Sequence, residues 1–219
     1  TISAFVTGVQ TCALPIYTLR QSPSEPLNVK DSSGVWQPVD VGLTTEASGR
    51  VRVKRHPLNP SLGARGDDAE LVSVEVDGKR AWLGLEQAGP SKATVDGGRV
   101  GYADVRPDTD LGYEVTAGAV KETIRLKRPP ASGSWRFRLG TTGLTPRVTD
   151  DGAVVFTDDA GVVAFAMPPV ETWDSSGSAD RPPAVTGGRY QLEKAGDGWV
   201  LTVSVDEAWL RDPKRVYPV

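Results

Sequence analysis

Along most of this chain apolar and polar residues alternate with a period of two. In residues 110–116 Leu111, Tyr113 and Val115 alternate with Gly112, Glu114 and Thr116; further on, Val120, Ile124 and Leu126 alternate with Lys121, Thr123 and Arg125. That is the period of a strand with one buried face. Residues 98–130 therefore predict one long β-hairpin, with Gly118 expected to supply a positive φ in its connection. The pattern recurs on both sides. GRVRVKR turns Val51 and Val53 inward and Arg50, Arg52 and Lys54 outward, and WRFRL sets Trp135, Phe137 and Leu139 against a core. LVSVEVDGKRAWLGL places Val72, Val74 and Val76 on one face, predicts a turn at Asp77-Gly78 and returns through Trp82 and Leu85. DDGAVVFTDDAGVVAFAMPP reads as two strands joined by residues 158–161, and residues 190–194 pair with 199–205 across Gly196, Asp197 and Gly198.

One helix signal interrupts this. Asp206 is placed to cap a single turn, DEAWLRDP, that Pro213 stops, and residues 216–219 begin another strand. Strands at short, regular spacing with turn residues between them predict an all-β fold, a multi-stranded antiparallel β-sandwich with one short helical turn near the C-terminus. The break at residues 129–133 leaves open a division into two packed sub-sandwiches. No internal repeat of fixed period is present.

Residues 1–16 stand apart. VTGVQTCALPI, residues 6–16, resembles translated sequencing adapter, so the segment is expected to be a non-native leader and the module to occupy residues 17–219. Cys12 is the one cysteine, so disulfide, thiol and zinc-thiolate chemistry leave with that leader. Thr1 stands where an initiator methionine would be expected, which suggests a fragment.

With 219 residues and 38% hydrophobic content the chain can bury a core without staples. A net charge of -3, from 25 basic and 28 acidic residues, gives no field that would gather nucleic acid or an anionic membrane, so neither is expected as a partner. No apolar run approaches the roughly 20 residues of a membrane-spanning helix.

Candidate chemistry is sparse. Asp104, Asp108 and Asp110 cluster in ADVRPDTD and could offer hard oxygen ligands to calcium, though Pro107-Asp108 is also an ordinary turn opener. No other cofactor is suggested. Glu122 shares the face of Val120 and Ile124, where a carboxylate needs a partner; an ion pair near the strand end is expected to supply it, with a catalytic acid a distant second reading. His56, in KRHPLNP, reads as a solvated loop residue. Of the six tryptophans, Trp173 lies in the polar stretch WDSSGS, where an exposed indole could stack on a sugar ring or cover a sheet edge. No G-x-S-x-G elbow, phosphate-cradling loop or H-E-x-x-H occurs, so no catalytic residue is assigned and the chain is not expected to be an enzyme.

YADVRPDTDLGYEVTAGAVKETIRLKRPP resembles the N-terminal module of large secreted proteins of Gram-positive bacteria, chiefly actinobacteria. VKDSSGVWQPVDVGL, GSWRFRLGTTGLTP, PPVETWDSSG and LTVSVDEAWLRDPKRVYPV agree, in order, over nearly all of residues 17–219. In that family the module precedes Rhs or YD repeats, or laminin-G-like (LamG) and related β domains, in wall-associated proteins and polymorphic toxins. The resemblance implies a non-catalytic structural module, extracellular or cell-wall-associated, whose partners are the downstream domains of its own polypeptide. Two alternatives stay open: a carbohydrate- or cell-wall-binding module, and a glycan-active hydrolase.

Overall fold

The computed structural model describes residues 26–219 and, as backbone only, two strands before them, β1 (Phe5–Thr11) and β2 (Leu14–Arg20). The side chains of the proposed leader, and Cys12 altogether, lie outside the described residues. The fold is all-β and antiparallel throughout, as the alternation predicts. Its strands are β3 (Asn28–Lys30), β4 (Trp36–Pro38), β5 (Asp40–Thr45), β6 (Val51–Arg55), β7 (Ser61–Leu62), β8 (Val72–Val76) and β9 (Lys79–Leu85). Then follow β10 (Thr94–Asp96), β11 (Arg99–Arg106), β12 (Thr109–Val115), β13 (Val120–Leu126), β14 (Ser134–Thr142), β15 (Thr145–Val148) and β16 (Val154–Thr157). The last are β17 (Val163–Met167), β18 (Glu171–Trp173), β19 (Val185–Ala195) and β20 (Gly198–Val205), before the helix α1 (Glu207–Arg211).

Nine strands form one long sheet in the order β18-β19-β20-β14-β9-β8-β7-β6-β5; a meander, β10-β11-β12-β13, makes a four-stranded sheet, and β15-β16-β17 makes a third. Cross-strand register explains why these sheets pack. Phe137 lies opposite both Leu85 and Leu201, and Leu139 lies opposite Leu83 and Trp199, so apolar side chains stack across one face of the long sheet. That face shares a single core with Tyr102, Leu111 and Tyr113 of the meander, Val154 and Phe156 of the three-stranded sheet, and Leu210 of the helix. Residues before and after 129–133 contribute to it alike.

Local chemistry follows the sequence in most turns. Asp77 and Gly78 both have positive φ, as a two-residue hairpin turn demands. Asp206 caps the helix by accepting from Ala208 N at 2.9 Å. Two expectations are corrected. Residues 98–130 hold three strands, β11, β12 and β13, in place of one hairpin, and Thr94–Asp96 adds a fourth outside β11 to make a meander. Gly118 is not among the positive-φ residues; Thr116 N donates to Ala119 O and closes the turn without it.

Candidate functional site

The meander and the long sheet leave between them a cavity of about 1160 Å³. Its walls are largely apolar, including Val120, Ile124, Phe137 and Leu139, and they carry two carboxylates, Glu122 and, on β18, Glu171. Alternation along β13 points Glu122 to the same side as Val120 and Ile124. The structure corrects the expected ion pair: the partner is a phenol. Tyr113, directly opposite on β12, donates from its hydroxyl to Glu122 Oε2 at 2.7 Å. Desolvation pushes the Glu122 carboxyl up to about 7, against the opposing pull of that hydrogen bond. The Tyr113 phenol, desolvated and beside this carboxylate, is raised well above its ordinary value, and Tyr190 is raised to about 12 by burial first and by Glu122 second. At neutral pH the cavity thus holds a carboxyl poised between its two protonation states.

Trp173 stands at the rim of this cavity, at the end of the edge strand β18, and is 42% exposed. Lys121 Nζ lies 5.3 Å from its ring centroid, so a cation already occupies part of the π-face. The next residue, Asp174, is buried and gathers the C-terminal tail. It accepts from the backbone N–H groups of Ser176, Ala184 and Val216 and from Ser176 Oγ, and pairs with Arg215 Nη1 at 3.3 Å. Desolvation pushes its carboxyl up, but these hydrogen bonds together outweigh it and hold the group at about 2. Nothing in the sequence marked Asp174, because its partners come from three separate stretches of chain.

The acidic turn is arranged differently from a cation cage. Asp104 and Asp108 both have positive φ, Asp104 inside β11 where the register with β12 shifts between Tyr102 and Arg106, and Asp108 in the connection to β12. Lys127 Nζ bridges Asp104 at 2.7 Å and Asp110 at 2.8 Å, while Arg128 Nε pairs with Asp108 at 2.6 Å. Burial pushes the Asp110 carboxyl up, but donation from Lys127 and from Asp104 N outweighs it and holds the group below its ordinary value. Among the described residues, no group of three or more His, Cys, Asp or Glu side chains is placed to share a metal.

His56 also departs from expectation. It is buried, with Nε2 2.8 Å from Thr116 O and Nδ1 accepting from Leu58 N at 3.0 Å. Since Nδ1 accepts, Nε2 carries the hydrogen and donates, which ties the loop after β6 to the β12–β13 turn.

Fold and cavity together define a β-sandwich module with an open inter-sheet space. No family model matches the chain, and no solved structure matches it. Among curated proteins it is similar to the tRNA nuclease WapA of Bacillus subtilis strain 168, 28% identical over 213 residues, and to the tRNA3(Ser)-specific nuclease WapA of Bacillus spizizenii, 27% identical over 213 residues. The tRNA(Glu)-specific nuclease WapA of Bacillus subtilis subsp. natto is likewise 27% identical. Each match covers 89% of the chain and only 9% of the relative's length.

These relatives correct three expectations. They are Bacillus proteins, and none is named for a laminin-G-like domain, so the actinobacterial LamG assignment falls. All are named as nucleases, which overturns the expectation that no enzyme is involved, and all are named for tRNA, which overturns the exclusion of nucleic acid. A net charge of -3 describes 219 residues, and the relatives are proteins of which the match covers 9%.

Proposed function

We propose that this chain is a β-sandwich assembly module of a large, toxin-like nuclease protein related to WapA, and that the whole protein acts on tRNA. The observation that carries this reading is the shape of the match. Similarity runs over 89% of the chain yet takes up 9% of each relative, as expected of one module within a longer polypeptide. A core that joins three sheets supports the assembly role, since the module can hold its shape while its edges meet neighbouring domains. An extracellular or cell-wall-associated location belongs to the same proposal. Among the described residues no helix is long and apolar enough to cross a membrane.

The test uses the full-length source protein and a version lacking residues 26–219. The expected result is tRNA cleavage by the purified full-length protein and a marked fall in exported, folded protein on deletion. Intact tRNA after incubation with the full-length protein would overturn the nuclease reading; undiminished export of the deleted form would overturn the assembly reading.

A second reading, binding of cell-wall glycans, has one specific observation in its favour: the exposed Trp173 at the cavity rim. Sedimentation with purified peptidoglycan that is lost in Trp173→Ala supports it, and equal sedimentation of both proteins rules it out.

A further inference from the structure

The cavity between the meander and the long sheet holds about 1160 Å³, just above the roughly 300–1,000 Å³ of small-molecule sites. Val120 and Ile124 on one side and Phe137, Leu139 and Leu201 on the other make its lining apolar. Glu122 interrupts that lining, and its pairing is incomplete. Tyr113 supplies one hydrogen bond, to Oε2; among the described residues no donor and no cation meets Oε1. The hydroxyl of Tyr190, on β19 of the opposing sheet, also has no hydrogen-bond partner among the described residues. It lies close enough to Glu122 for that carboxylate to help hold its proton in place.

The other charged wall residues are differently placed. Lys121 lies over the Trp173 ring at the rim, and Arg125 pairs with Asp110 at 3.7 Å. Glu171 is exposed on the edge strand β18. The unmet charge of the cavity is therefore negative and lies inside it. Desolvation lifts the Glu122 carboxyl to about 7, and a counter-cation buried beside it would recover the free energy that this desolvation costs.

We propose that this cavity binds a small amphiphile with one ammonium head and an aliphatic tail, the head on Glu122 Oε1 beside the Tyr190 hydroxyl and the tail along the apolar walls. An ammonium brings three N–H donors, enough to serve a carboxylate oxygen and a phenol oxygen together. A carboxylate head would meet Glu122 as a like charge. A polyamine would bury further charges along Val120, Ile124 and Phe137, where no counter-ion waits. An uncharged amphiphile can hydrogen-bond to Oε1 but leaves the negative charge without a counter-ion.

Isothermal titration calorimetry of the 219-residue chain with decylammonium, decanoate and decanol, each below its aggregation threshold, tests this. Expected at pH 8 is binding of decylammonium about tenfold or more tighter than of either other probe. Glu122→Gln should cancel that advantage, bringing decylammonium to the affinity of decanol. A second arm needs the wild type alone, and so does not depend on the variant folding. Decylammonium should bind about tenfold or more weakly at pH 5 than at pH 8, because Glu122 is then protonated while an amine with a lysine-like value of ~10.4 keeps its charge. Equal affinities for the three probes, tighter binding of decanoate, or no binding of any of them overturns the proposal. So does a preference for decylammonium that survives Glu122→Gln, or one that does not change between pH 8 and pH 5.

Discussion

Tyr113 and Glu122 face each other across β12 and β13, phenol to carboxylate at 2.7 Å, on the wall of an apolar cavity. Burial raises the Glu122 carboxyl to about 7 from an ordinary 4.5, so the fold favours its protonated form. For a group raised in this way, the stabilising contribution is complete below about pH 4.5 and is lost as pH climbs through about 7. The chain ending at Val219 should be more stable at pH 5 than at pH 8. Glu122→Gln, which keeps a polar partner for Tyr113 without the charge, should equal wild type at pH 4.5 and exceed it by about 2 kcal/mol at pH 8. Urea unfolding at a series of pH values checks this; parallel profiles for the two proteins would contradict it.

Asp174 has the opposite sign. Its folded-state carboxyl sits at about 2, below the ordinary 3.8, so its contribution is present above about pH 4 and disappears as pH falls towards 2. Asp174→Asn removes the charge that Arg215 pairs with and sets an amide donor among the N–H groups of Ser176, Ala184 and Val216. Melting at pH 7 should fall by roughly 5 °C or more, with the deficit shrinking as pH approaches 2. A constant deficit across that range would remove the assignment of the low value to Asp174.

Trp82 and Gly140 are cross-strand partners in the long sheet, and the indole lies over the glycine. A Cβ at Gly140 would sit 2.1 Å from Trp82 Cζ2, far inside contact distance. Gly140→Ala must displace the ring, along with the Arg80 guanidinium 5.0 Å from its centroid, at a cost of about 1–3 kcal/mol. In the background of Trp82→Ala the same substitution should cost much less, because the two changes act on one contact. Additive losses in that double-mutant cycle would show that the ring does not set the cost.

The strands were legible because most of them bury one face. Trp135, Phe137 and Leu139, or Leu111, Tyr113 and Val115, announce both the element and its inward side. What alternation does not specify is the partner across the sheet. Glu122 could be placed on the inner face but not matched, although hairpin register alone sets Tyr113 opposite it and could have found the pair. His56 is buried through a contact 60 residues away in sequence, which no local pattern encodes. The acidic turn was legible as a cluster, while the cations that satisfy it, Lys127 and Arg128, sit at the end of the next strand but one. Function was the least legible: total charge and missing motifs describe this segment, and the relatives are proteins of which it spans 9%.

Lys127 gives the last prediction, because it separates a cation-satisfied turn from a calcium site. Its ammonium lies within 2.8 Å of both Asp104 and Asp110, and contact with those carboxylates, Asp104 foremost, raises its pKa above the ordinary value. With the position between the carboxylates filled by a side chain, chelator should leave the wild-type melting temperature unchanged. Lys127→Met takes the shared cation from Asp104 and leaves Asp110 only the longer pairing with Arg125 Nη1 at 3.7 Å, and should lower Tm by about 2 °C at pH 7 and low salt. Near pH 3, where carboxylates begin to protonate, the loss should shrink. Added millimolar calcium should restore part of it in Lys127→Met alone, since only there are the two carboxylates open to a hard cation. A wild-type protein that melts lower in chelator would reverse the assignment and make the turn a calcium site in spite of its lysine.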